Sequence, residues 1–449
     1  MRILLTTHQF FPEYNMGTEV LTYSVARELI NCGYDVHVFT GYPGRADLQE
    51  HERFDEYVYE GIHIYRFHHA YTPMAGQTSI IEIGYDNQLA VKFFKKILDK
   101  FTPNIIHFFH LSRLGTSVIE LAVSAGIPCY LTPTDFWTIC PTGQLMLDDG
   151  KLCSGPTRYA GNCVKHLALS TQNGLTGKVV SCLPTVSIDL LARLTQSGVL
   201  PNYPNQIEVK AIGGRLEKNI TRLNKLNKII SPNSYMLEKL LQYGVKSDLI
   251  VQSAYGLNLP KLETELKHRV SRKPFRFGFI GTLAFHKGCH ILIEAFKLIP
   301  QGQAVLKVYG NVLDFTEYVE ELKRIACDNE AIEFCGTFSN SKIGEVLAEI
   351  DALVVPSLWY ENTPLVIYSS QAALCPVVAS DFPGISEVIQ DKINGLLFEA
   401  GNVKSLSAQL LRLIEEPNLI TELSLNSMNP KKISTYVGEL QEIWGSARM

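Results

Sequence analysis

Glu361 lies in a polar turn between a short apolar run and a helix start, within Pro356-Ser-Leu-Trp-Tyr-Glu361-Asn-Thr-Pro364. The apolar run Ala352–Val355 is typical of a buried parallel strand, and Pro364 suits the first turn of the helix that follows. The amides of that turn and the helix dipole favour a phosphate, while the Glu361 carboxylate can accept hydrogen bonds from hydroxyls. A phosphate beside a polyol is a nucleotide sugar. The alternative is an ordinary strand-to-helix turn.

A second turn in the same half of the chain carries a cation, in Gly281-Thr-Leu-Ala-Phe-His286-Lys287-Gly288. It follows the apolar run Phe275–Ile280 and precedes an amphipathic helix. Glycine lets backbone approach a ligand closely, and Lys287 adds a charge for a diphosphate. The loop Phe334-Cys-Gly336-Thr-Phe338 also follows a strand, and its backbone can bond the edge of a base. Each is a plain loop in isolation, but beside the Glu361 turn they favour a donor site.

The first half of the chain contributes two further turns. Gly17, between the first strand and the first helix, permits close approach of a phosphate or sugar, and Thr18 can cap that helix. Asp135 follows another strand end in Thr132-Pro-Thr134-Asp135-Phe-Trp137. Its carboxylate can orient an acceptor hydroxyl, or it is only the cap of a turn.

A loop rich in Gly, Pro and Asp contains Cys140-x12-Cys153-x9-Cys163-x2-His166. Three thiolates and an imidazole match a closed tetrahedral zinc site. Structural zinc and unligated thiols are the two leading alternatives, and a disulfide is the third. No Asp-x-Asp pair is present to hold a nucleotide-bound cation. We therefore expect catalysis to need no cofactor, with Lys287 and helix amides meeting the diphosphate charge.

Composition excludes several classes of protein. With 449 residues the chain is expected to form two or three domains, and a formal net charge of −4 argues against a nucleic-acid partner. It has no apolar run long enough to span a bilayer and its start lacks a signal-peptide core, so a cytoplasmic location is expected. A basic segment that contains only one acid, Glu217, could contact anionic lipid at the inner face of the membrane or an anionic acceptor. A solvated helix face is an equal alternative. The basic residues of this segment are Lys210, Arg215, Lys218, Arg222, Lys225 and Lys228.

Apolar runs alternate with amphipathic helices along the chain, which predicts an α/β fold of two doubly wound, Rossmann-like domains facing a cleft. We expect an N-terminal acceptor-side domain at 1–257, including the cysteine-rich loop 140–166. A linker at 258–273 and a nucleotide-sugar-binding domain at 274–428 follow. Residues 429–449 are expected to form a helix that crosses back to the first domain.

Together these segments resemble the family 4 retaining glycosyltransferases of the GT-B fold, the glycosyl transferases group 1. The Gly17 loop, the Gly281–Gly288 turn, the Phe-x-Gly loop at Phe334 and Glu-Asn-Thr-Pro-Leu-Val-Ile at Glu361–Ile367 carry the resemblance. It implies that Lys287 binds the diphosphate, that Glu361 binds the donor sugar and that Asp135 serves the acceptor side. The remaining donor-binding residues that it implies are Gly17, Thr18, Gly281, Thr282, His286, Gly336, Thr337, Asn362, Thr363, Leu365, Val366 and Ser369.

Three positions depart from the family pattern. Thr282 stands where an arginine is usual, and His286 could replace part of that charge. Ser369 stands where a second glutamate usually holds the ribose, and Thr134 where a histidine is common. The expected activity is that of a hexosyltransferase that moves a sugar from a nucleotide donor to a glycan or lipid-linked saccharide in surface polysaccharide synthesis. A non-catalytic sensor or scaffold, and an epimerase or phosphorylase of the same fold, are the alternatives.

Overall fold

A computed structural model describes residues 1–171, 180–258, 268–327, 329–362 and 364–446. The chain forms two compact units. Unit 1 comprises Met1–Tyr255 together with Ser434–Met449, and unit 2 comprises Gly256–Ile433. Part of the predicted linker, 259–267, lies outside the described residues.

Unit 1 is built on an eight-stranded sheet with the order β3-β4-β2-β1-β5-β6-β7-β8. Neighbouring strands are parallel except for the antiparallel pair β3 and β4. The central strands are continuous apolar runs because helices cover both faces of such a sheet. The strands are β1 (Arg2–Thr7), β2 (Asp35–Pro43), β3 (Phe54–Tyr59), β4 (Ile62–His69), β5 (Ile105–Phe108), β6 (Cys129–Leu131), β7 (Lys228–Ser231) and β8 (Ile250–Gln252).

The helices of unit 1 bury apolar stripes against this sheet or against one another. In α3, for example, Phe94 and Ile97 are buried and Lys95 and Lys96 are exposed, as expected for an amphipathic surface helix. The described helices are α1 (Gly17–Asn31), α2 (Ile80–Tyr85), α3 (Gln88–Phe101), α4 (Ser117–Ser124), α5 (Gly161–Thr171), α6 (Thr185–Ser197), α7 (Gln206–Leu223) and α8 (Ser234–Gln242).

The last described helix of the chain, Ile433–Ser446, belongs to unit 1 from Ser434 onward. Tyr436 and Trp444 on this helix are almost fully buried. The Tyr436 hydroxyl lies 3.2 Å from Thr132 Oγ1, and Trp444 Nε1 donates to His107 Nδ1 at 3.3 Å. Burial lowers the pKa of His107 to about 3, so its ring is neutral and can accept this bond. The helix therefore packs next to the carboxyl-terminal end of β6.

Unit 2 has a six-stranded parallel sheet with the order β11-β10-β9-β12-β13-β14. Its strands are β9 (Phe275–Ile280), β10 (Ala304–Tyr309), β11 (Ile332–Gly336), β12 (Ala352–Val355), β13 (Val377–Ser380) and β14 (Gly395–Phe398). Its described helices are α9 (Cys289–Phe296), α10 (Thr316–Ala326), α11 (Ile343–Ala348), α12 (Leu365–Ala372), α13 (Pro383–Ser386), α14 (Val403–Glu415) and α15 (Leu419–Leu425), which makes Ile433–Ser446 α16. Apolar side chains from the sheet and helices such as α9 and α14 form one buried core.

The basic segment of α7 does not form the exposed charged face that its composition suggested. Arg215 and Arg222 are buried, and Lys218 bonds Glu82 and Asp86. Arg222 pairs with Asp86 and Glu120, which also pairs with Lys225. These charges join helices within unit 1, so the six basic residues do not form one exposed basic face. Contact of this segment with a membrane or an anionic acceptor stays a prediction. Within the described part of the chain, no helix is long and apolar enough to cross a membrane.

Candidate active site

Lys287 and Glu361 form an ion pair in unit 2. Lys287 Nζ donates to Glu361 Oε1 at 2.7 Å. Lys287 ends a short 3₁₀ turn that follows β9, and Glu361 lies in the loop after β12. Because β9 and β12 are adjacent parallel strands, their carboxyl ends lie at the same edge of the sheet, which is where ligands bind in open α/β sheets. The two residues singled out in the sequence therefore meet at one site.

The surroundings keep the Glu361 carboxylate ionised although it is only 5% exposed. Burial alone would raise the pKa of Glu361, but the Lys287 ammonium and the Ser357 hydroxyl hold it below its usual range. Ser357 Oγ donates to Glu361 Oε1 at 2.7 Å. Lys287 Nζ also lies 5.2 Å from the centre of the Trp359 ring, within range of a cation–π interaction. The site thus holds an ionised carboxylate, which can accept hydrogen bonds from hydroxyls, and an ammonium, which can bind a diphosphate.

Two glycines let the loops around this pair pack closely. Gly288 has φ +71°, and a Cβ there would meet the carbonyl oxygen of Pro356 at 1.9 Å. A Cβ on Gly384 would meet the carbonyl oxygen of Glu361 at 1.8 Å. The backbone N–H of Leu358 also donates to the carbonyl of His286 at 2.8 Å. The site is therefore held by backbone packing between the loops after β9 and β12 and helix α13, as a preorganised binding site requires.

His286 does not supply the charge of the missing family arginine. Burial and the neighbouring Lys287 lower the pKa of His286 to about 4, so its ring is neutral near pH 7. The ring packs edge-on against Trp359, with their centroids 5.2 Å apart. The expectation that His286 replaces part of the arginine charge is wrong because burial penalises the imidazolium.

The other predicted donor residues of unit 2 lie on the same sheet edge. Gly281 N–H bonds the carbonyl of Tyr309, and Gly310 N–H bonds the carbonyl of Gly336, which joins the loops after β9, β10 and β11. Thr282 is half-buried and Thr337 is exposed beside them. Gly336 has φ +71°, in the left-handed region that glycine favours.

At the start of α12, Leu365 and Val366 are half-buried, and amides in a first helical turn have no partner within the helix. Asn362 is buried next to Glu361, and Thr363 lies outside the described residues. Ser369 Oγ donates to the carbonyl of Leu365 at 3.2 Å. This bond within the helix engages the hydroxyl at the position where the family pattern has a ribose-binding carboxylate.

In unit 1, the start of α1 is bonded to the loop after β6. Thr18 Oγ1 donates to Thr134 Oγ1 at 2.9 Å. The expected cap by Thr18 is wrong, since Met16 is the N-cap residue and makes no side-chain cap bond. Gly17 is exposed, and no atom lies within 4 Å of a Cβ placed there. Its lack of a side chain is therefore not required by packing within unit 1.

Asp135 caps a turn, as one of the two alternatives from the sequence has it, and it also contacts a histidine; its role toward an acceptor hydroxyl stays a prediction. Its Oδ1 accepts the backbone N–H of Trp137 at 2.8 Å, which closes a turn, and its Oδ2 lies 2.9 Å from His110 Nε2. The backbone N–H of Ser112 donates to His110 Nδ1 at 3.1 Å, so the ring proton belongs on Nε2, facing Asp135. His110, Asp135 and Thr134 line a small cavity with Trp137.

A buried acid lies beside this cavity. Glu19 on α1 is fully buried, with His8 Nε2 3.6 Å from Glu19 Oε1. Burial raises the pKa of Glu19 to about 7 and lowers that of His8 well below its usual range. The His8 and His110 rings are 4.2 Å apart between centroids.

Several residues of these sites carry no distinct signal in the sequence. Ser357 and Trp359 lie in the same turn as Glu361, but no pattern in the sequence gives them a role. Gly384 lies after the next strand, β13, and nothing in the sequence connects it with Glu361. His110 lies just after β5, and its position at the end of a strand is the only sign in the sequence that it could line a site. Glu19 follows Gly17 and Thr18 in the first turn of a helix, where an acid is ordinary.

Comparisons with known proteins identify a family profile and individual relatives that this chain resembles. The sequence profile of the glycosyl transferases group 1 family matches residues 262–429, which include Lys287 and Glu361. The amylovoran biosynthesis glycosyltransferase AmsK of Erwinia amylovora is 22% identical over 415 residues, covering 90% of this chain and 89% of that protein. The N,N'-diacetylbacillosaminyl-diphospho-undecaprenol alpha-1,3-N-acetylgalactosaminyltransferase of Campylobacter jejuni is 26% identical over 213 residues, covering 45% of this chain and 54% of that enzyme.

Among solved structures, HepE of Anabaena in complex with UDP and glucose has a TM-score of 0.64 and 15% identity, covering 99% of each chain. This likeness confirms the predicted GT-B fold.

Proposed function

We propose, from the group 1 glycosyltransferase domain at residues 262–429, that this protein transfers a sugar from a nucleotide-sugar donor to a hydroxyl of a glycan or lipid-linked saccharide, with retention of anomeric configuration. The observation that carries the proposal is the Lys287–Glu361 pair at the carboxyl ends of β9 and β12. One partner suits a diphosphate and the other suits sugar hydroxyls.

The residues of unit 2 have separate roles in this proposal. Lys287 and the amides of Leu365 and Val366 bind the diphosphate and stabilise its charge as the bond to the sugar breaks. Glu361 accepts hydrogen bonds from hydroxyls of the donor sugar and so fixes its orientation. His286 packs as a neutral ring against Trp359 and contributes no charge. In unit 1, Asp135, positioned by His110, contacts the acceptor.

Two relatives support surface polysaccharide synthesis as the setting. AmsK is named for amylovoran biosynthesis, and the name of the Campylobacter enzyme describes a diphospho-undecaprenol acceptor. We extend a lipid-linked or glycan acceptor to this chain on that basis. HepE was solved with UDP and with UDP-glucose, so uridine nucleotides are the first donors to test.

A non-catalytic nucleotide-sugar sensor is the second candidate, and two observations favour it. Thr282 and the neutral His286 leave the diphosphate without the usual arginine charge. Ser369 stands where the family pattern has a ribose-binding carboxylate, and its hydroxyl is bonded to the carbonyl of Leu365. A sensor would bind a nucleotide sugar but release no nucleoside diphosphate with any acceptor.

A calorimetric screen of UDP, GDP, ADP and their common sugar conjugates tests the proposed donor site. We expect one conjugate to bind the wild type, and Glu361→Gln to weaken that conjugate without weakening the bare diphosphate. If no conjugate binds, or if the variant weakens both equally, Glu361 does not contact a donor sugar and the proposed site is wrong.

A further inference from the structure

Three cysteines and a histidine far apart in sequence line one small cavity in unit 1. Cys140 and Cys153 lie on an irregular segment between β6 and α5, whereas Cys163 and His166 lie on α5 itself. Positions three residues apart on a helix share one face. Cys140 and Cys163 are buried and Cys153 is partly buried, and none of the three forms a disulfide. The fold therefore brings all four of these donor groups to one place.

The sulfur atoms have hydrogen-bond donors around them. The backbone N–H of Gly155 donates to Cys153 Sγ at 3.4 Å, and Asn162 Nδ2 approaches the same sulfur at 3.9 Å. On the other side of the cavity, Asp148 Oδ1 lies 3.0 Å from His166 Nε2. A carboxylate on one ring nitrogen of a histidine orients the other nitrogen toward a metal. These contacts are the supporting bonds that thiolate and imidazole ligands usually have.

A buried cation next to the cavity points to a negative centre. Arg215 is 3% exposed, and its guanidinium donates to the backbone carbonyls of Ile139 and Trp137. Burial lowers the pKa of Arg215, whereas negative charge on the nearby Cys140 and Cys163 would raise it. One Zn²⁺ held by three thiolates and a neutral imidazole carries a single net negative charge. Such a centre would balance the buried guanidinium.

Burial disfavours the thiolate form of Cys163 where no cation is near it. Burial, followed by the charges of Cys140 and Cys153, raises the pKa of Cys163 to about 12. Three thiolates in one buried cavity repel one another unless a cation lies between them. As the side chains stand, no group of three or more His, Cys, Asp and Glu residues in the described ranges could hold a metal. Ligation therefore requires the four side chains, which already line one cavity, to move closer together.

We propose that Cys140, Cys153, Cys163 and His166 bind one structural zinc ion that fixes the irregular segment to α5. On binding, Zn²⁺ replaces the three thiol protons, which are released to solvent, and no electron is transferred. The site is independent of the donor site in unit 2. Its role is to order the loop that begins directly after Asp135.

Metal analysis of the full-length chain, purified without chelator from zinc-supplemented cells, tests the proposal. We expect about one zinc per chain in the wild type. Cys163→Ser and His166→Ala should each lose most of it, and Cys32→Ser, an exposed cysteine of the same unit, should keep it all. Less than about one tenth of a zinc per wild-type chain, or equal zinc in Cys163→Ser and Cys32→Ser, overturns the proposal.

Cobalt binding gives a second test that needs no variant to fold. Wild-type protein stripped of metal and given Co²⁺ should develop the sulfur-to-cobalt charge-transfer band and the intense visible bands of a tetrahedral thiolate site. An absorption spectrum of hexahydrated cobalt alone would overturn the proposal. So would peptide mapping without reductant that shows a disulfide between any two of the three cysteines.

Discussion

In the proposed donor site Glu361 competes with the diphosphate for Lys287, and this competition predicts opposite effects for the two single variants. In the free protein the ammonium is 2.7 Å from the carboxylate, so a bare diphosphate must share a charge that is already paired. Lys287→Met removes a charge-assisted hydrogen bond worth about 1.5–3 kcal/mol, which corresponds to a roughly 10- to 150-fold weaker Kd for UDP. Glu361→Gln removes the competitor, so we expect UDP to bind more tightly, by up to about 10-fold.

The double variant makes this prediction specific to the pair. If the gain from Glu361→Gln comes from a released Lys287, it must disappear in the Lys287→Met background. Isothermal calorimetry of UDP with the four proteins measures that coupling, with GDP and ADP as alternatives if UDP does not bind. A Glu361→Gln effect that is the same in both backgrounds would refute the reasoning.

Lys307→Met is the matched control. Lys307 also lies in unit 2, pairs with Glu349 at 2.8 Å, and has a side chain 23% exposed against 24% for Lys287. The Lys307→Met variant should leave nucleotide affinity unchanged. Thermal melting of every variant separates a loss of binding from a loss of fold, because breaking a buried pair on one side costs about 3–5 kcal/mol.

Three further predictions concern other groups. Because burial raises the pKa of Glu19 from 4.5 to about 7, the folded state holds its proton more tightly than the unfolded chain, and wild-type stability falls as pH rises between those values. Glu19→Gln should therefore match the wild type near pH 4.5 and exceed it by about 3 kcal/mol above pH 7 in chemical denaturation; equal stability at both pH values would contradict this. Gly17→Ala should melt like the wild type but bind a nucleotide sugar more weakly, whereas Gly288→Ala should lower the melting temperature because its Cβ meets Pro356. A normal affinity in folded Gly17→Ala would remove that residue from the site. Added Mg²⁺ should leave the transfer rate unchanged, and a rate proportional to Mg²⁺ concentration would show that Lys287 and the amides are insufficient.

The strands that build both sheets could be predicted where they are continuous apolar runs. Phe275–Ile280 and Ala352–Val355 are the bounds of β9 and β12, since a strand buried on both faces has no polar position to obscure it. The hairpin of β3 and β4 has no such signal. β3 is an edge strand with the sequence Phe-Asp-Glu-Tyr-Val-Tyr, in which exposed and partly buried residues alternate, and charged edge strands resemble loops in composition.

The candidate site could be predicted in its residue types but not in its pairings. The spacing of the turns identified Lys287 and Glu361 separately, but their contact depends on the adjacency of β9 and β12. The same limit explains the basic segment of α7. Its charges are visible in the sequence, but the acids that neutralise them, Glu82, Asp86 and Glu120, come from α2 and α4 and the residue after α2. Likewise, the sequence shows that His286 can carry a positive charge, but burial, which the sequence does not show, lowers its pKa to about 4 and keeps the ring neutral.

Transfer itself is the most direct test of the central claim. Purified protein is incubated with the nucleotide sugar that binds in calorimetry and with lipid-linked saccharides from bacterial membranes, and release of nucleoside diphosphate is measured with and without acceptor. We predict acceptor-dependent release, loss of most of it in Glu361→Gln, and a product whose anomeric configuration by NMR is that of the donor. Donor binding with no acceptor-dependent release from any saccharide would contradict a transferase and leave the sensor.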